Sequence, residues 1–205
     1  MKYEIKNREV LKLSDGNRLY LCANQTWYFD KWHITSGCGP TNAAQLIYYF
    51  AQTRTEYNFL IEEINNTKSD FIKLMNQTWH YITPSILGVN NVNIFEKGLR
   101  KYFLDNGLNI PIVSLDLRRK IRKVKYEAVE HFIINGLNND SLVAFLNLSN
   151  GKLTRLSSWH WTSIIAYDPN TKMATIYDAS SSFVINMEEW YQSTLLGGGL
   201  VYINR

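Results

Sequence analysis

The chain has 205 residues, of which 45% are hydrophobic, and a formal net charge of +4. A chain of this length favours one domain with a full hydrophobic core. No apolar run reaches the roughly 18 residues of a membrane span, and residues 1–8 are charged where a signal peptide needs its apolar stretch. We therefore expect no membrane span and a cytoplasmic location.

The positive charge is concentrated in one segment. Six basic residues lie between Arg118 and Lys125, and outside this segment acidic residues slightly outnumber basic ones. Such a cluster could contact nucleic acid, an acidic peptide or a phospholipid head group, but a solvated loop or strand end is the commoner explanation. We expect no nucleic-acid partner, and the composition leaves the oligomeric state open.

Hydrophobic periodicity predicts helices in the first two thirds of the chain. Residues 37–44, GCGPTNAA, mark the start of one helix, because proline suits the first helical position. Apolar residues then follow at helical spacing, as Ala43, Ile47, Phe50 and Ala51. Further apolar stripes predict helices that contain residues 57–64, 69–79, 95–103 and 129–136.

From residue 141 onward the pattern becomes that of strands. Residues 142–146 form a continuous apolar run, which is typical of a strand buried on both faces, and residues 159–167, 173–177 and 199–203 are also predicted as strands. Helices first and an antiparallel sheet second indicate an α+β class. Because no repeat or linker marks a boundary, we predict one domain, 1–205, with a helical lobe over 1–140 and a β-rich lobe over 141–205.

Cys38 is the strongest candidate for a chemical role. At the start of a helix, a thiol meets free backbone N–H groups and the positive end of the helix dipole, which favour the nucleophilic thiolate. The other cysteine, Cys22, lies in an apolar run and is most simply a buried core thiol. Two cysteines are too few for a disulfide framework, although a single bridge between them is conceivable.

A nucleophilic cysteine needs a base, and the chain has four histidines. His160 stands at the start of a predicted strand, between two tryptophans that would shield it from water. If Asp168, Pro169 and Asn170 form a three-residue hairpin loop, His160 directly faces Asp178 on the next strand. A carboxylate there would hold the imidazole and stabilise its charged form. Asp168 is a rival for this role, but its place beside Pro169 is well explained by the turn.

These residues resemble the papain-like cysteine peptidases, specifically the bacterial branch similar to bacteriocin leader (double-glycine) peptidases. The resemblance rests on the motif GCGP at 37–40, on the late Trp159-His160-Trp161 run and on an acid in the next strand. It implies a cleft between a helical half and an antiparallel sheet. It also implies a glutamine upstream of the cysteine that binds the oxyanion. Gln25 is the candidate, 13 residues before the cysteine, a longer gap than the family usually shows.

The expected function is hydrolysis of a peptide or amide bond. In this hypothesis His160 deprotonates Cys38, the thiolate attacks the carbonyl, Gln25 and the Cys38 N–H hold the oxyanion, and Asp178 orients the base. Two alternatives stay open. One is acyl transfer to an amine or thiol on the same machinery, and the other is a binding module that keeps the fold without the activity.

We expect neither a metal nor a cofactor. A metal site built from Cys22, His33, Cys38 and His80 would match no familiar zinc spacing. A P-loop is absent from the sequence, and Gly197-Gly198-Gly199 precedes a strand instead of opening a helix, unlike a dinucleotide fingerprint.

Overall fold

The computed structural model describes residues 1–118 and 123–204 and has an α+β fold. The helices are α1 (Lys31–Ser36), α2 (Cys38–Gln52), α3 (Lys68–Tyr81), α4 (Val92–Asp105), α5 (Tyr126–Asn138) and α6 (Met187–Ser193). The strands are β1 (Tyr3–Glu4), β2 (Leu13–Ser14), β3 (Leu19–Tyr20), β4 (Ile112–Asp116), β5 (Val143–Asn147), β6 (His160–Asp168), β7 (Met173–Asp178), β8 (Ser181–Asn186) and β9 (Gly198–Ile203).

The main sheet is antiparallel. Among the described residues it has the strand order β4-β9-β5-β6-β7-β8, and β1 pairs with the far end of β6. Strand β5 is buried along its whole length, as its continuous apolar sequence predicts, and helices α2 and α5 both pack against it. The short hairpin of β2 and β3 stands apart from this sheet. The α+β class is therefore confirmed.

Helix α2 is the central helix of the fold. Every residue from Cys38 to Ala51 is buried, and the helix contacts α3 as well as strand β6. It begins at Cys38 with Gly37 as its N-cap, so Pro40 occupies the third helical position and not the first. Proline is tolerated there because the first four N–H groups of a helix have no partner within it.

The other helix predictions hold except for one. Helices α3, α4 and α5 contain the predicted residues 69–79, 95–103 and 129–136, whereas residues 57–64 do not form an α-helix. A 3₁₀ segment, Thr55–Ile61, takes their place. The prediction was wrong because apolar residues spaced three and four apart suit both an α-helix and a 3₁₀-helix.

The division into two lobes at residue 140 is only approximate. Strands β1 and β4 come from the first 140 residues and join the main sheet, while α6 lies among the later strands. Strand β4 escaped prediction because it is a short edge strand, and four of its five residues are only partly buried. In the basic segment, Arg118 forms an ion pair with Asp116 at 2.8 Å, and residues 119–122 lie outside the described residues.

Candidate active site

Cys38 lies on the helical wall of a small cavity. It is the first residue of α2 and only 8% exposed, and as the first helical residue its backbone N–H has no partner within the helix. The flanking glycines allow close packing around it. A Cβ on Gly39 would lie 2.7 Å from Val89 Cγ2, and one on Gly37 would lie 2.4 Å from the His33 carbonyl oxygen. Larger residues at these positions would displace the nucleophile.

His160 and Asp178 lie on the opposite, sheet wall. His160 Nε2 and Asp178 Oδ1 are 2.8 Å apart, and the two side chains are 17% and 20% exposed. Because the carboxylate occupies Nε2, Nδ1 is the ring nitrogen that remains for Cys38. The carboxylate thus fixes both the orientation of the ring and the nitrogen that faces the thiol.

The electrostatics favour a charged imidazole. Burial lowers the pKa of His160, but the hydrogen bonds with Asp178 and with Cys38, together with the charges of these two groups, outweigh it and raise this pKa to about 10. At neutral pH an imidazolium therefore lies beside the Cys38 thiol. A cysteine nucleophile is commonly paired with a histidine in this way.

The predicted register between His160 and Asp178 is wrong, although the two side chains do meet. The hairpin pairs Asp168 with Met173, so its loop comprises the four residues 169–172 and not the predicted three. Lys172 takes a left-handed backbone conformation, with φ of 59°, that closes this longer loop. Farther along, a bulge between Ile164 and Ala166 shifts the pairing, and Ser163 then pairs with Tyr177.

The bulge decides on which face Asp178 lies. Next to the turn, Asp168 pairs with Met173. If this register continued along the whole hairpin, the side chain of Asp178 would lie on the face opposite to His160. Beyond the bulge, the pairing of Ser163 with Tyr177 returns Asp178 to the same face as His160, as a diagonal neighbour. Diagonal neighbours are about 7–8 Å apart at the backbone, a distance that these two side chains bridge.

Gln25 reaches the same cavity, despite its unusual distance from Cys38 in sequence. Helix α1 lies between them in the chain, and both residues line the same cavity. Gln25 Nε2 donates a hydrogen bond of 2.7 Å to the carbonyl oxygen of Ile34, which leaves its second N–H for another acceptor. Its Oε1 is buried without a hydrogen-bond partner.

The cavity has a volume of about 210 Å³ and brings all four predicted site residues together: Cys38, His160, Asp178 and Gln25. Asn42 and Gln45 are among the further polar residues that line it and that the sequence analysis did not single out. A signal for both was present, since they follow the cysteine by four and seven residues and therefore share its face of the helix.

The remaining histidines have other positions. His33 Nδ1 lies 2.9 Å from Asp30 Oδ2, and the ring lies against Trp79, at 3.7 Å between ring centres. His80 and His131 are exposed on α3 and α5. These three residues do not line the cavity of Cys38.

The two tryptophans beside His160 differ in role. Trp161 is buried, stacks on Phe95 at 4.2 Å between ring centres, and donates a hydrogen bond of 2.6 Å to the Val89 carbonyl oxygen. Trp159 is 50% exposed and has φ of 56°. The expected shielding from water therefore comes chiefly from Trp161.

Strained backbone flanks both members of the His160–Asp178 pair. Trp159 precedes the histidine, and Ala179 and Ser180 follow the aspartate with φ of 47° and 68°. None of these three residues is glycine, and the left-handed conformation costs such residues about 1–3 kcal/mol each. Strain of this kind persists only where the surrounding structure enforces it, and it is common at functional sites.

Cys22 is a core thiol, as its apolar setting predicts. It is completely buried, and its Sγ lies 3.8 Å from the Ser181 carbonyl oxygen. Burial raises the pKa of this thiol to about 12, so it is not a nucleophile at neutral pH. Both Cys22 and Cys38 are free, which contradicts the conceivable bridge between them.

Neither a protein-family model nor a curated protein sequence matches this chain. Within residues 1–118 and 123–204, none of the helices has both the length and the apolar character that crossing a bilayer requires. The same residues contain no group of three or more His, Cys, Asp or Glu side chains that could hold a metal ion.

Proposed function

We propose that this protein is a papain-like cysteine hydrolase that cleaves a peptide or amide bond. The observation that carries the proposal is the paired arrangement around one imidazole. Asp178 holds Nε2 at 2.8 Å, and Cys38 faces the same cavity from the helical wall. A nucleophile, a base and an orienting acid in this order are the minimum machinery for acyl transfer through a thioester.

In the proposed reaction, the Cys38 thiolate attacks the substrate carbonyl and forms a tetrahedral oxyanion. The Cys38 N–H and the second Gln25 N–H donate to this oxygen. The His160 imidazolium then gives its proton to the departing amine, and a thioester remains on Cys38. The neutral imidazole takes a proton from water, the hydroxide attacks the thioester, and the carboxylic acid leaves with regeneration of the thiolate–imidazolium pair.

A reducing compartment suits this proposal, because the reaction requires a free thiol. Both cysteines are unpaired, and secreted proteins of modest size often rely on disulfides instead. We therefore extend the proposal to a cytoplasmic location.

The proposal is tested by labelling with an electrophilic cysteine probe at neutral pH, read by intact-protein mass spectrometry and peptide mapping. We expect rapid labelling of Cys38, no labelling in Cys38→Ala, and labelling slowed by at least tenfold in His160→Ala. Cys22→Ala is the matched control, since this buried thiol should neither react nor influence the rate. Cys38 labelling that is unaffected by the loss of His160 would contradict the pairing.

A further inference from the structure

The cavity continues past Cys38 along the flank of α2. Thr41, Asn42 and Gln45 line it together with the cysteine, at helical spacings that place them on one face. At a rise of 1.5 Å per residue, Gln45 lies about 10 Å along the helix axis from the nucleophile. Asn42 and Gln45 are only 1% and 4% exposed, so the cavity extends from the nucleophile into the interior.

Three amide oxygens on this cavity lack hydrogen-bond partners among the described residues. They are Oε1 of Gln25, Oδ1 of Asn42 and Oε1 of Gln45, each buried. The nitrogens of two of these amides are held, since Asn42 Nδ2 donates to Ser163 Oγ at 2.9 Å and Gln25 Nε2 donates to Ile34. An unsatisfied buried polar group costs about 1–3 kcal/mol, so three around one cavity indicate a ligand that donates hydrogen bonds.

The charges around the cavity favour a neutral ligand. Of the described residues that line it, none is lysine or arginine, and the His160 imidazolium is already paired with Asp178, so a carboxylate would be buried without a counter-ion of its own. The one carboxylate, Asp178, is already bound to His160, so an ammonium group would meet only neutral acceptors. Ala23, Trp161 and Tyr177 add apolar surface for a methylene stem. A carboxamide at the end of such a stem supplies two N–H donors without a charge.

We propose that this cavity is a specificity pocket for a glutamine side chain, carried by the substrate residue whose carbonyl Cys38 attacks. The inference rests on the proposed function and names its substrate class. The glutamine NH₂ donates to the oxygens of Asn42 and Gln45. Because no hydrogen bond from residues 1–118 or 123–204 fixes the Gln45 amide, it can also turn its NH₂ group toward the substrate oxygen.

The test uses peptidyl vinyl sulfones that are identical except for the residue beside the vinyl group, which is Gln, Met, Glu or Lys. The second-order rate constant for labelling of Cys38 is measured for each. We expect the Gln compound to react at least tenfold faster than the Met, Glu and Lys compounds. In Gln45→Met, a change of similar shape, the ratio of the Gln to the Met rate should fall several-fold. Gln52→Met, at the exposed end of the same helix, is the control and should keep the wild-type ratio.

A small reagent without a side chain, methyl methanethiosulfonate, separates this inference from the proposed function. Suppose that this reagent labels Cys38 in a His160-dependent manner while the Met, Glu or Lys compound reacts as fast as the Gln compound. The proposed glutamine pocket is then wrong, and the proposed hydrolase function stands. A Gln preference that survives in Gln45→Met would likewise overturn the pocket. If neither the reagent nor any vinyl sulfone reacts faster in wild type than in His160→Ala, the proposed function fails and the pocket fails with it.

Discussion

The two walls of the cavity are built in opposite ways. On the helical wall, Cys38 begins a regular helix that is buried from Cys38 to Ala51, and the neighbouring glycines let other segments approach closely. On the sheet wall, the path to His160 and Asp178 includes a bulge within β6 and left-handed residues beside both side chains. The nucleophile is thus placed by regular structure, and its base and acid by irregular structure.

The difference follows from what each wall must position. A helix aims one side chain and one backbone N–H by its own geometry, and Cys38 needs nothing more. Two side chains from adjacent strands meet only if register and face both agree, and a shift of one residue reverses the face. The bulge supplies that shift in β6, and the tight turn after Asp178 ends the ladder at the site.

The largest effect is expected at the sheet wall, from removal of the Asp178 charge. Asp178→Asn should lower turnover on a cleavable peptide amide by on the order of 100-fold or more, because the imidazolium loses its counter-charge and its fixed orientation. Steady-state kinetics measure the effect. Asp168→Asn is the matched control: the same change at the turn end of the same hairpin should leave turnover within about twofold. Equal losses in the two variants would show that hairpin stability, not the charge at the site, determines the rate.

The same substitution should change the titration of His160. With Asp178 gone, the interactions that oppose burial are weaker, and the pKa of His160 should fall below about 10. NMR of the imidazole ring measures this directly. In wild type the folded-state pKa is raised, so the stabilisation from protonated His160 is fully present below about pH 6.5 and is lost as the pH rises through about 10. In Asp178→Asn, the unfolding free energy should not decline over this pH range. An unchanged decline would contradict the ion pair between His160 and Asp178.

The helical wall was easier to predict from sequence than the sheet wall, because regular structure follows from local sequence patterns and irregular structure does not. A glycine-flanked cysteine before an apolar helical stripe is a local pattern, and helix α2 does begin at Cys38. The pairing of His160 with Asp178 was predicted from chemistry and turn length. The contact is present, but the register was wrong because the loop is one residue longer than predicted and because the bulge left no sequence signal. Helix α1, which accounts for the distance of Gln25 from the cysteine, was missed because a six-residue helix has too few positions to show periodicity.

A smaller effect is expected on the helical wall from Gly39→Ala. The added methyl group would lie 2.7 Å from Val89 Cγ2 and 2.9 Å from Val89 Cβ, so Val89 must move. The better helix propensity of alanine, about 1 kcal/mol, offsets part of an overpacking cost of about 1–3 kcal/mol, and we expect a net loss of about 1 kcal/mol in unfolding free energy. Denaturant unfolding measures it. Val89→Gly removes both of these atoms, so in that background the Gly39→Ala change should become favourable, and a cost that persists there would exclude this contact as its source.

The smallest effect, and the one of opposite sign, is expected at the strained turn after Asp178. Ala179 and Ser180 form the two-residue loop between the paired residues Asp178 and Ser181, both with positive φ, a conformation that glycine adopts freely. Ala179→Gly removes about 1–2 kcal/mol of strain and adds about 0.5–1 kcal/mol of backbone entropy to the unfolded chain, so unfolding free energy should rise by up to about 1 kcal/mol.

The matched control for this strain is Ala128→Gly, an alanine-to-glycine change at an exposed position of α5, which should lower unfolding free energy by about 0.5–1 kcal/mol. If the strained turn holds Asp178 against His160, the more stable Ala179→Gly variant should also turn over several-fold more slowly, since a looser turn no longer fixes the carboxylate. A gain in stability with unchanged turnover would mean that the bulge alone positions Asp178. A loss in stability like that of Ala128→Gly would mean that the turn carries no strain at all, and the contrast between the two walls would then rest on register alone.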